Sequence, residues 1–217
     1  MAVRLAPALL ARAYDLLYGR LAWTYDAVAW AVSLGQWRAW GAAALPYLTG
    51  PRVLELGHGP GHMLVALAKH GFAPVGLDLS SQMGRLAGRR QPAARLVRGR
   101  AQAAPFAADR FDGALATFPT PYIVAPATAA AVFRLLRPGG RLVIVPEARL
   151  GSRGPLRALI DWLYAATGQR RPESEDAAAR LSTWQATLAP AGFRVARHEV
   201  VVAESAVTVI VAERPVA

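Results

Sequence analysis

From Arg52 onward the chain alternates between two hydrophobic periods. Short apolar, β-branched runs occupy 52–56, 73–79, 94–99, 111–118 and 141–147. Stretches with helical spacing separate them, at 62–71, 80–90 and 126–140. Runs that are apolar on both faces, alternating with helices, predict a parallel sheet buried between helical layers. Gly71 and the Pro138-Gly139-Gly140 triplet are helix stops, and Ser80 or Ser81 is an N-cap. Beyond the alternation, 154–168 reads as an amphipathic helix and 175–192 as another. Residues 193–204 and 206–214 read as a closing pair of strands. Residues 8–45, rich in alanine and aromatics, read as helices. The expectation is an α/β fold with a doubly wound seven-stranded sheet, mostly parallel with one antiparallel strand, plus N-terminal helices. Residues 1–45 form a helical cap segment, and 46–217 the main domain, with a helical insertion at about 150–172.

Composition narrows the chemistry. The 217 residues include no cysteine, which excludes disulfides and thiolate metal sites. The four histidines are dispersed without ligand spacing, so no metal is expected. Net charge is +11, and Lys69 is the only lysine. The arginines are scattered from Arg4 to Arg214, so the surplus reads as compositional, and no nucleic-acid partner is expected. Arginines interrupt the apolar N-terminal run, which argues against a signal peptide and for a cytoplasmic location.

The most informative stretch is RVLELGHGPGHML, 52–64. Gly57, Gly59 and Gly61 leave a strand-to-helix turn free of side chains, so a ligand can approach the backbone. The helix that follows turns free N–H groups towards it. A dinucleotide fingerprint counted from Gly57 requires a small residue at position 62, where His62 stands. Glu55 would repel a phosphate and favour a ligand with an amine.

With VLELGHGPGH, VGLDLSSQM, APFAADRFDGALATF and LLRPGGRLVIV in this order, the sequence resembles the class I S-adenosylmethionine-dependent methyltransferases, in particular the small-molecule and lipid-type group. The resemblance covers 52–147 and implies a Rossmann-like fold and S-adenosylmethionine as cofactor. It implies that Glu55 holds the methionine ammonium and that Gly57, His58, Gly59 and Gly61 line the site. Asp78, 21 residues after Gly57, would accept from both ribose hydroxyls. Leu79 and Met83 would flank the adenine, and Ala101 and Gln102 would meet its edge. The family commonly has an acid where Arg100 stands, and an arginine cannot accept from the adenine amine. His62 reads as a first-turn helix residue, and His70 and His198 as surface residues.

The acceptor is less legible. The segment TFPTPYI (117–123) follows the fourth strand, where the family places acceptor-facing residues. Thr117, which also borders the cofactor, Phe118 and Tyr122 are the candidates there; Tyr14, Tyr18 and Tyr25 join them from the cap. Asp26 and His58 are further candidates for a general base. Trp23, Trp30 and Trp37 recur every seven residues and, if helical, share one face, as a lid, an acceptor wall or a membrane anchor, or as plain packing against the sheet. The implied function is methyl transfer to a small lipophilic or lipid-type acceptor, with peripheral membrane contact left open. A cofactor-binding module with a regulatory or partner-binding role is the alternative. A nicotinamide-dependent reductase is disfavoured by His62.

Overall fold

The computed structural model describes residues 25–151 and 177–216. Tyr14, Tyr18, Trp23 and the helix expected over 154–168 lie outside the described residues, as does the expected insertion beyond residue 151.

The described residues begin with two short helices, α1 (Tyr25–Ser33) and α2 (Trp37–Ala42). The alternation follows as β1 (Arg52–Leu56), α3 (His62–Lys69), β2 (Ala73–Asp78), α4 (Ser81–Arg90), β3 (Arg95–Arg98) and β4 (Phe111–Thr117). It closes with α5 (Pro126–Leu135), β5 (Leu136–Arg149), α6 (Ala177–Leu188), β6 (Arg194–Val202) and β7 (Ser205–Glu213). Among the described residues these strands form one seven-stranded sheet in the order β3-β2-β1-β4-β5-β7-β6. Pairs from β3 to β5 are parallel, and β7 runs antiparallel to both neighbours, β5 and β6. The expected doubly wound sheet with one antiparallel strand is the observed one.

Side-chain alternation divides the core into two layers. Leu54, Leu56, Leu142 and Ile144 point to one face, where they meet Val132 and Leu135 of α5 and Leu188 of α6. Val53, Leu115, Val143 and Val145 point to the other, where they meet Met63 and Leu67 of α3 and Trp40 of α2. Trp40, Ala43, Ala44 and Leu45 are buried in that second layer. The described part of the N-terminal segment therefore contributes core as well as cover.

Two local readings change. The helix expected over 126–140 ends at Leu135, and the Pro-Gly-Gly triplet lies inside β5. Gly139 has φ +77°, and a Cβ at Gly140 would stand 2.8 Å from the Arg137 carbonyl. The triplet is thus a bulge, and the β4–β5 register shifts there, from Phe111 opposite Leu136 to Gly113 opposite Arg141. The tryptophan spacing is also not carried by one helix. Leu34 and Gly35 are both left-handed, with φ of 52° and 80°, and separate α1 from α2. Trp30 and Trp37 therefore do not share a helix face. Trp30 is 66% exposed, while Trp37 packs on Phe118.

Candidate active site

The carboxyl ends of β1, β2 and β4 meet the glycine loop. Gly57, Gly59 and Gly61 have φ of 69°, 50° and 86°, so all three positions use the left-handed backbone that glycine permits. Two of them also need the missing side chain. A Cβ at Gly57 would stand 2.8 Å from the Tyr122 hydroxyl, and one at Gly61 2.9 Å from Cα of Ala87 in α4. The Gly57 N–H donates to the Leu77 carbonyl, which fastens the loop to β2.

Asp78, at the end of β2, braces the loop from the side. Its Oδ2 accepts from the Gly59 N–H at 2.9 Å and its Oδ1 from the Ser80 N–H at 2.8 Å. Ser80 caps α4 by accepting from the Met83 N–H. Glu55 differs. It is 2% exposed, and its Oε2 has no hydrogen-bond partner among the described residues. Burial, and secondarily the negative charge of Asp78, push its carboxyl well above the ordinary carboxylate range.

A concavity opens over these groups. Its walls are Glu55, the loop from Gly57 to Pro60, His62 and Met63 of α3, Thr117 at the end of β4 with Phe118 after it, and Trp37, Arg38 and Gly41 of α2. Helix α2 roofs it by close approach, since a Cβ at Gly41 would stand 2.8 Å from Met63 Sδ. Phe118 has a left-handed φ of 47°, and its ring stacks on Trp37 with centroids 3.9 Å apart. An aromatic residue held in that region is strained, and such strain concentrates at functional sites.

A polar clasp joins the cap to the loop. His62 Nε2 lies 2.6 Å from Asp26 Oδ1 of α1, and Arg90 of α4 donates to Asp26 Oδ2 at 2.8 Å and to the Pro60 carbonyl. Burial raises the Asp26 carboxyl, but the contacts with His62 and Arg90 outweigh it and hold the group below its ordinary value. Burial, joined by Arg90 and Arg38, outweighs the Asp26 contact at His62 and lowers the imidazole. The pair is therefore a neutral imidazole donating Nε2–H to a carboxylate.

A family model described as a methyltransferase domain matches residues 53–140, the span from β1 to the β5 bulge. Residues 53–140 thus resemble a methyltransferase domain. A demethylmenaquinone methyltransferase of Renibacterium salmoninarum is 33% identical over 139 residues, 62% of this chain and 58% of that protein. The chain spans about half of the length of the curated relatives it matches first. A Thermotoga maritima S-adenosylmethionine-dependent methyltransferase shares the fold with a TM-score of 0.62 at 18% identity, over 93% of this chain and 99% of that one. The [4+2]-cyclase SpnF shares it too, with a TM-score of 0.57 at 15% identity, over 83% and 80% of the two chains. The fold therefore does not by itself fix the reaction.

Within this fold, the concavity gathers Glu55, Gly57, His58, Gly59, Thr117 and Phe118 from the sequence candidates. Gly61 and Asp78 adjoin it through the loop. His58 is buried, its Nδ1–H donates to the Gly59 carbonyl at 2.7 Å, and its ring rests over Gly76. Ala101 is buried and Gln102 half-buried in a 3₁₀ turn after β3, outside the concavity. Met83 is fully buried, and Leu79 is 53% exposed. Arg100 is exposed at the head of the 3₁₀ turn. The Tyr122 hydroxyl donates to the Leu56 carbonyl at 2.9 Å, a loop-holding contact. Trp37, offered by the sequence as a lid or an acceptor wall, lines the concavity; the sequence reading missed Arg38, Gly41 and Met63 as lining, and the Asp26–His62–Arg90 clasp. Nothing in the local pattern marks a contact between residues 36 or 64 positions apart.

Proposed function

We infer that the protein transfers the methyl group of S-adenosylmethionine to a small lipophilic acceptor with a planar ring of the quinone type. The observation that carries this reading is Glu55, a buried carboxyl whose Oε2 has no hydrogen-bond partner among the described residues, beside a loop that admits a ligand backbone-close. Such a group is costly unless a cation completes it, and the cofactor's ammonium is a fitting cation. When bound, the cofactor supplies an activated methyl on a sulfonium. The chain's own residues bind and orient. Glu55 accepts from the ammonium, Asp78 has lone pairs left for the ribose hydroxyls, and Gly57 and Gly59 admit close contact. Trp37, Phe118 and Met63 offer the acceptor an apolar wall and exclude water, and alignment of this kind supplies about 7–11 kcal/mol of barrier reduction.

The relatives' name, demethylmenaquinone methyltransferase, supports the acceptor class, and the stacked aromatic wall agrees with it. No helix among the described residues is long and apolar enough to cross a membrane. Peripheral contact with lipid is part of the reading, since such an acceptor resides there. The test is calorimetric titration with S-adenosylhomocysteine. The wild type should bind, and Asp78→Ala should weaken binding at least tenfold, given about 1.5–3 kcal/mol for each charge-assisted hydrogen bond lost. No binding by the wild type, or an unchanged Asp78→Ala, would remove the cofactor assignment.

A further inference from the structure

We propose that His62, oriented by Asp26, is the general base that takes the acceptor's proton during methyl transfer. The proposal rests on the methyl-transfer reading above and adds to it a residue and a step.

Geometry carries it. His62 lines the concavity together with Thr117, Phe118 and Glu55, at the first turn of α3. Its Nε2 is occupied by Asp26 Oδ1 at 2.6 Å. A carboxylate can only accept, so the proton sits on Nε2 and the lone pair on Nδ1. Nδ1 makes no hydrogen bond to any described residue. Asp26 is itself fixed by Arg90, which also grips the Pro60 carbonyl beside the loop. A base held by a carboxylate that is held in turn is the usual architecture of an oriented proton acceptor.

Electrostatics agrees. The charged groups that face the imidazole are Asp26 from α1, Arg90 from α4 and Arg38 from α2, and Glu55 shares the concavity from β1. Burial and the two arginines keep the ring neutral, hence able to accept a proton. Asp26 stabilises the imidazolium once it forms. Two other candidates among the described residues are engaged differently, with Tyr122 donating to Leu56 and His58 donating Nδ1–H to Gly59.

The step balances. Nδ1 takes the proton of an acceptor hydroxyl, and the electron pair released raises the nucleophilicity of the acceptor. A bond forms from the acceptor to the methyl carbon as the carbon–sulfur bond breaks, and that pair stays on sulfur. The sulfonium charge is thereby replaced by an imidazolium charge beside Asp26. Water then removes the proton from Nδ1.

The experiment has two arms. The first is nitrogen-15 NMR of histidine-labelled full chain. At neutral pH His62 should be the neutral Nε2–H tautomer, and Asp26→Asn should alter its titration. The second is methyl transfer from S-adenosylmethionine to 1,4-dihydroxynaphthalene across pH. Wild-type turnover should fall on the acid side at the pH where NMR sees His62 titrate. His62→Ala should lose on the order of a hundredfold in turnover, lose that acid limb, and regain activity with added imidazole. Its dissociation constant for S-adenosylhomocysteine should stay within about threefold of the wild type, because general-base catalysis is a transition-state effect. An imidazolium at neutral pH would overturn the proposal, as would a His62→Ala enzyme with wild-type turnover and pH profile. A wild-type chain that binds no S-adenosylhomocysteine would instead bring down the methyl-transfer reading, and the proposal with it.

Discussion

A carboxyl group sealed beneath a glycine loop resists ionisation, and Glu55 is such a group. Its folded-state value is raised, so the folded chain keeps the proton longer than the unfolded chain does. Stability contributed at this residue is present below the ordinary carboxylate range and is lost as pH rises from that range through the folded value. Each unit by which burial lifts the group costs about 1.4 kcal/mol once it ionises. Glu55→Gln removes that liability. Its melting temperature should pull ahead of the wild type as pH rises, while its affinity for S-adenosylhomocysteine falls at least tenfold. Thermal scans from pH 5 to 9 beside a binding titration check both halves. A variant that loses stability at high pH would contradict the account. The acid was legible in the sequence because it stands directly before the glycines. Its lack of a partner was not, since that depends on every neighbour that packs around it.

At the scale of elements, two junctions decide where the site sits. The first is the start of β1. Asp112 of β4 accepts from the Arg52 N–H at 2.9 Å and from the Arg52 side chain, and Arg137 donates to its other oxygen at 3.1 Å. Burial raises this carboxyl, but Arg52 and Arg137 prevail and hold it below its ordinary value. Asp112→Ala should therefore cost about 1–3 kcal/mol at neutral pH. The gap to wild type should close as pH falls through the folded value of Asp112, which urea unfolding at several pH values would show. The second junction is the end of β4. The Phe118 N–H still donates to the Val145 carbonyl, and its ring then turns onto Trp37 of α2. Phe118→Ala removes a stacked pair worth about 0.5–1.5 kcal/mol beyond its buried area. Acceptor kcat/KM should drop roughly tenfold with cofactor affinity nearly unchanged; a loss confined to cofactor affinity would place Phe118 on the other ligand. Strands and helices from Arg52 to Val145 were readable because each repeats its own hydrophobic period. The break at Leu34–Gly35 was not, because a single glycine within an alanine-rich run is a weak stop. Nor was the Pro-Gly-Gly bulge, whose form depends on the facing residues of β4.

Across the whole molecule, charge is less evenly spread than composition suggests. Between Leu79 and Ala108 the chain holds six arginines and no acid. Arg90 is spent on Asp26, and the other five, Arg85, Arg89, Arg95, Arg98 and Arg100, are exposed along α4, β3 and the turn after it. This edge also exposes Leu79, whose carbonyl Arg98 holds at 3.0 Å. Positions 73–105 include no aromatic residue on which a base could stack. An anionic bilayer suits the edge better than a nucleic acid. Vesicles containing phosphatidylserine should retain the protein in a salt-sensitive way, and the combined Arg85→Gln, Arg89→Gln, Arg95→Gln variant should partition at least tenfold less, at about 1 kcal/mol per arginine. Equal partition of the two forms would leave these arginines a protective role at a sheet edge. Glu55 has a consequence on this scale as well. Burial holds this carboxyl above its ordinary range and a bound cation would draw it back down, so ligand capture would release acid at any pH where the group is still protonated. The heat of binding must then vary with the ionisation enthalpy of the buffer, and the slope of that variation counts the protons expelled. With S-adenosylmethionine as that cation, a chain already at +11 would thus hand a proton to the solvent as it takes on a further positive charge.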